Sequence, residues 1–217
     1  MNEIPRREIL RYLGIRDRSF HSEDPLIDKC ADTLFNTCHP MSVSRTFPLF
    51  WKDGFPVVEG TVLESRNLSR NLKGCEEVIL MACTLGLEAD RLTHRAEIRS
   101  MAEASILQAC GAAMIEAYCD EINQSLIDDA RKRGMYARPR YSPGYGDLDL
   151  SYQTLVFLLL DPLKNIRVSL NDQFLIVPTK SVTAFIGLSS HEEPCILQGC
   201  EVCNRQTSCA YSRKGDL

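Results

Sequence analysis

From Arg140 to Tyr145 the chain reads Arg-Tyr-Ser-Pro-Gly-Tyr, which puts a permanent cation, a rigid backbone position at Pro143, a permissive one at Gly144 and an aromatic ring in one short run. Arginine offers a planar fork that matches a carboxylate, glycine lets backbone approach a ligand closely, and tyrosine can stack on it or hydrogen-bond to it. Upstream, Ala109, Ala112 and Glu116 recur at three-and-four spacing, so a helix would present one carboxylate at the end of a strip of small side chains. An ordinary Pro-Gly turn pinned by a surface arginine, and a solvated helix glutamate, are written with the same letters.

A second group lies near the end. Cys195, Cys200, Cys203 and Cys209 form C-x4-C-x2-C-x5-C. Four thiolates on a compact loop suit zinc, and the first three share their spacing with a plant-type iron-sulfur loop, although the fourth is too close for that fold. A redox-active thiol pair or uncoordinated cysteines fit the same spacing. Elsewhere Cys83 and Cys110 fall on apolar patterns, where cysteine behaves as a small hydrophobe. Cys30 and Cys38 flank His39 loosely, and His21, His94 and His191 have no partners at ligand spacing, so they read as packed or solvated side chains.

The elements that must position these residues are legible in part. Short helices are expected at Glu8 to Leu13 and after Asp24-Pro25, where aspartate caps and proline fits the first turn. Ser42 to Phe50 and Val57 to Leu63 read as strands, with Asp53-Gly54 and Glu59-Gly60 as turns. The nearly unbroken apolar run Glu77 to Thr84 suits a central strand buried on both faces. A long helix is expected from Ile98 to Lys132, its core stripe formed by Leu107, Cys110, Met114, Tyr118, Ile122 and Leu126. Met135 to Asp147, with two prolines and two glycines, is expected to be an irregular loop. A helix at Tyr152 to Leu160 precedes strands at Asn165 to Leu170, Phe174 to Val177 and Ser181 to Leu188. Helices mixed with mainly antiparallel strands, without βαβ alternation, give an α+β class: a twisted, mainly antiparallel sheet flanked by helices.

Composition sets bounds. The 217 residues, 44% hydrophobic and 25% charged, suffice for one core, so residues 1–217 are expected to form a single domain with a Cys-rich tail at 189–217. The formal charge of −4 argues against a nucleic-acid partner. The charged first residues do not resemble a signal peptide, and no run approaches the about 20 apolar residues of a membrane span. A cytoplasmic protein with mostly reduced thiols is the expectation.

The Arg140 to Tyr145 run resembles the R-x-x-x-G-Y motif of the activation domain of cobalamin-dependent methionine synthase. The resemblance continues through Leu155 to Asp161, Ile166 to Leu170, Val177-Pro178 and Ser181-Val182-Thr183, covering about Met101 to Leu188 and only weakly the first hundred residues. It implies that S-adenosylmethionine is bound by Arg140, Tyr141, Ser142, Gly144 and Tyr145, with Glu116 taking the α-amino group and Arg140 the α-carboxylate. It also implies a partner carrying cobalamin, a methionine synthase or other corrinoid protein, served in trans by reductive methylation, and an electron donor such as flavodoxin or ferredoxin. The family's amino-terminal ligand-binding aspartate has no counterpart around Ser44 to Phe47. Rival readings are a metal or iron-sulfur electron-transfer protein or metallochaperone of a corrinoid pathway working through the cysteine tail, a methyltransferase for another substrate, and a structural partner subunit. The methyltransferase reading lacks the usual glycine-rich loop after an initial strand.

Overall fold

The computed structural model describes residues 4–15 and 25–192. In chain order the elements are α1 (Arg6–Tyr12), α2 (Pro25–Thr37), β1 (Met41–Pro48), β2 (Phe50–Lys52), β3 (Phe55–Val58), β4 (Thr61–Val62), α3 (Arg66–Asn71) and β5 (Glu77–Thr84). There follow α4 (Leu87–Glu97), α5 (Met101–Lys132), β6 (Tyr136–Ala137), a 3-10 turn (Leu150–Tyr152), α6 (Gln153–Leu160), α7 (Pro162–Ile166), β7 (Ser169–Leu170), β8 (Ile176–Val177) and β9 (Ser181–Ser189). The main sheet has the order β1-β5-β9-β6, and its pairings are antiparallel. Two smaller sheets are formed by β2-β3-β4 and by β7-β8.

The run Glu77 to Thr84 is β5, and it is central as its composition demands. Because side chains alternate across a strand, Ile79, Met81 and Cys83 enter one apolar core while Val78, Leu80 and Ala82 enter another. The first core lies under α1, α2, α4 and α5, the second under α3 and α6. On β9, Ala184, Ile186 and Leu188 face the first and Phe185 the second. Each buried aliphatic side chain contributes about 1.5–3 kcal/mol, so the two central strands hold both helical layers at once.

The expected core stripe of α5 is present: Leu107, Cys110 and Met114 are buried, and Tyr118, Ile122 and Leu126 pack against them. Its amino-terminal boundary needs correction. Ser100 takes extended backbone and its hydroxyl accepts from the Glu103 amide at 3.3 Å, so α5 begins at Met101, and the segment before it is a separate helix, α4, which hydropathy alone did not reveal. The expected strand from Asn165 is also corrected. Asp161 adopts a left-handed conformation with φ 44°, Pro162 opens the next turn, and α7 runs through Ile166 before the short strand β7 begins.

Close packing between sheet and helix is most demanding at Gly187 of β9. A Cβ there would lie 2.6 Å from Cys75 Sγ, 2.6 Å from Leu72 Cδ2 and 3.2 Å from Arg138 Cγ. Gly187→Ala is therefore expected to cost about 1–3 kcal/mol by overpacking. Urea unfolding of the variant beside the wild type measures it, and an unchanged midpoint would contradict this packing.

Candidate functional site

The segment from Met135 to Asp147 is less irregular than its prolines and glycines suggest. Tyr136 and Ala137 form β6 against β9, the Arg138 amide donates to Gly187 O at 2.8 Å, and Tyr141 and Phe185 exchange both backbone hydrogen bonds at 2.9 and 2.8 Å. Asn71 Nδ2 adds a bond of 3.1 Å to Pro139 O, and Arg138 donates to Lys73 O at 3.1 Å. The segment is thus an extended edge sewn to β9, and the alternation of a strand applies to it. Tyr141 packs against the second core, while Arg140, its neighbour, reaches α5 on the other face.

At α5 the guanidinium meets two carboxylates. One terminal nitrogen donates to Glu116 Oε2 at 2.6 Å and the other to Asp120 Oδ1 at 2.6 Å. Glu116 and Asp120 are one helical turn apart on one face, so a single arginine spans both. The Arg140 and Glu116 side chains keep 22% and 30% of their exposure, whereas Asp120 keeps 68%. Burial works against the charge on Arg140, but Glu116 and Asp120 outweigh it and hold its pKa above the ordinary arginine value. Arginine stays a cation here at any pH at which the protein is folded.

Beneath this pair, Cys119 of α5 shares a thiol hydrogen bond with Cys83 of β5, and that bond, together with burial, raises its pKa strongly. Cys119 is buried and neutral, and Cys83 is buried beside it, so they serve as packing groups. Cys110 is likewise buried, and desolvation pushes its pKa up to about 12. The small-residue strip on α5 is corrected in one respect: Ala109 is in the first core, and beside it the stem of Lys180 lies over Gly111, with Nζ donating to Gln108 Oε1 at 2.6 Å.

After Tyr141 the chain turns. Ser142 O accepts from the Tyr145 amide at 3.2 Å, Gly144 has φ 88°, a conformation that favours glycine, and the Tyr145 side chain is 64% exposed. The Tyr141 hydroxyl donates to Tyr145 O at 3.2 Å, and the Tyr141 amide is committed to Phe185. Asp147 closes the turn: its carboxylate accepts from Ser65 Oγ at 2.5 Å, the Arg66 amide at 2.8 Å and the Asn67 amide at 3.2 Å. The two amides are the first donors of α3, a helix with no acidic residue in its own first turn, and Ser65 is its N-cap.

The structure therefore brings Arg140 and Glu116 together, places Ser142, Gly144 and Tyr145 in the turn that follows, and holds Tyr141 through its backbone. Two residues that sequence reading passed over complete the arrangement. Asp120 was signalled by its i+4 spacing from Glu116, whereas nothing local linked Asp147 to Ser65. Cys195, Cys200, Cys203 and Cys209 lie outside the described residues. Among the described residues, no group of three or more His, Cys, Asp and Glu is placed to hold a metal ion, and no helix is long and apolar enough to cross a membrane.

Neither family models nor curated proteins match the sequence. A solved structure does match: the crystal structure of the MetH reactivation domain bound to AdoHcy, with a TM-score of 0.59 and 18% identity over 77% of this chain. The chain has the reactivation-domain fold. It spans 65% of that solved chain, and at this identity the likeness is one of architecture, an α+β fold with antiparallel sheets.

Asp147 supplies a pH test of the clamp at the end of the turn. Burial alone would raise its pKa, but hydrogen bonds from Ser65, Asn67 and Arg66 bring it below the ordinary 3.8. Its contribution is therefore present above the usual aspartate range and is lost as pH falls through the depressed value. Asp147→Ala is expected to cost about 1 kcal/mol at neutral pH, as for loss of a helix cap. The gap from wild type in urea midpoint should narrow on acidification toward pH 3, and a gap independent of pH would show that the carboxylate charge is not what caps α3.

Proposed function

We propose that the chain binds S-adenosylmethionine and presents its methyl group to a corrinoid carried by a partner, a methionine synthase or related corrinoid protein, in the reductive methylation that restores the cofactor. The observation that carries this reading is the Arg140 and Glu116 pair, two opposite charges 2.6 Å apart, each partly open to solvent and followed at once by the Gly144 and Tyr145 turn. The reactivation-domain architecture supports it, because the solved domain of that fold was crystallised with AdoHcy bound.

The donor set fits the ligand. A zwitterionic amino-acid group carries one carboxylate and one ammonium, and inserting it between Arg140 and Glu116 replaces one ion pair with two charge-assisted contacts. Tyr145 offers an exposed aromatic face, and Gly144 leaves the backbone of the turn free of a side chain. When bound, S-adenosylmethionine supplies an electrophilic methyl group whose acceptor is the partner's cobalt, reduced by one electron from a donor such as flavodoxin or ferredoxin. The protein's own contribution is orientation. Arg140, a permanent cation, gives and takes no proton, and the reaction asks for no general base. Rigidity of the frame matters more than reactivity of any side chain, and the β9 pairing and the Asp147 clamp supply it on either side of the turn.

Calorimetric titration of S-adenosylmethionine into the full chain tests the reading. Saturable binding is expected for the wild type. Arg140→Ala removes a charged hydrogen bond of about 1.5–3 kcal/mol and should weaken affinity about tenfold to a hundredfold. Methylation of a separately supplied corrinoid protein, with reductant present, should fall in parallel at subsaturating ligand. An affinity unchanged by Arg140→Ala would sink the site assignment.

A further inference from the structure

The charges around Arg140 do not balance. Among the described residues, Glu116 and Asp120 both pair with the single guanidinium of Arg140. Within this trio one negative charge is left over. An amino-acid zwitterion entering between Arg140 and Glu116 brings a carboxylate and an ammonium that cancel, so it does not remove the excess.

We infer that Asp120 is a specificity-determining residue that makes the site prefer the sulfonium methyl donor over its demethylated thioether product. The inference rests on the proposed S-adenosylmethionine site and adds to it a selection between two ligands of nearly equal size. The two share their amino-acid and nucleoside parts. They differ by a methyl group and by the positive charge on sulfur. That sulfur is two methylene groups from the α-carbon held by Arg140 and Glu116, well within the Debye length of about 8 Å at physiological ionic strength. A cation there is attracted by the net negative charge of the trio, while a neutral thioether is not.

Asp120 is suited to this by its place on α5. It shares the helix face of Glu116 one turn away, which keeps it beside the ligand's amino-acid end. Its side chain is 68% exposed, so it avoids the desolvation cost of a buried lone charge. Ion pairing with Arg140 fixes its direction. The consequence for turnover is discharge of the spent ligand: once the methyl group has left, the attraction that favoured the donor is gone, and the product is held only by contacts common to both.

The test is a pair of titrations, S-adenosylmethionine and S-adenosylhomocysteine, into the full-length wild type and into Asp120→Asn and Asp120→Glu. The asparagine variant keeps the size and the helix but loses the charge. The ratio of donor to product affinity is expected to fall about twofold to fivefold in Asp120→Asn, the range of exposed charge pairs, and to be retained in Asp120→Glu. Raising salt should compress the wild-type ratio toward that of Asp120→Asn. A fold defect would weaken both ligands together and leave the ratio unchanged, which is the result that overturns the inference. Binding of neither ligand by the wild type would instead overturn the proposed site itself, and this role of Asp120 with it.

Discussion

The pairing of residues 138–141 with β9 governs what the site can be. Two backbone bonds between Tyr141 and Phe185, with the Arg138 amide on Gly187, give this segment the two-residue period of a strand. One residue of slip would turn Arg140 into the second core and Tyr141 toward α5. Register is held because Tyr141 packs against that core and Arg138 fits over Gly187, where any side chain on β9 would collide. The side-chain chemistry on α5 is thus set by main-chain bonds on the opposite side of the segment.

From that constraint the charge arrangement follows. A strand edge delivers one arginine to a helix face, and a helix repeats its face each turn, so a second carboxylate one turn on from Glu116 falls within the arginine's reach. The buried side chains of Cys83 and Cys119 fill the space below, and Cys119 brings no charge with it. Apolar packing under a half-exposed ion pair keeps water to one side and holds Arg140 to a narrow set of directions. The surrounding helices α1, α2 and α4 pack on α5 and bury it well enough to keep its face fixed.

Sequence made the long-range frame readable where a pattern was strong and local. The apolar run of β5 and the stripe of α5 are such cases, since periodicity reports burial directly. Boundaries were harder. Ser100 and Glu103 form the cap that starts α5, but the surrounding apolar residues continue the helical rhythm across it. Asp161-Pro162 begins α7 by the same chemistry that Asp24-Pro25 suggested earlier in the chain, and the β-branched residues after it concealed the signal. In the site, Arg140, Gly144 and Tyr145 were visible as residue types with a use. Their stitching to β9 was not, because backbone pairing leaves no mark on side-chain identity, and proline and glycine at the turn gave the whole segment an irregular look. Asp147 depends on a partner 82 positions away, a separation that no local pattern records.

The two clamps, Tyr141 on Phe185 and Asp147 on Ser65, divide the segment into fixed ends and a short span between them. Changes at the exposed Tyr145 leave both anchors in place, whereas Gly146 admits no side chain, because a Cβ there would collide with the Tyr141 hydroxyl and the Asn67 side-chain amide. In evolutionary terms the exposed part of the span is a cassette: the sheet and helices supply a fixed socket, and recognition of different ligands can be explored on its outward side chains.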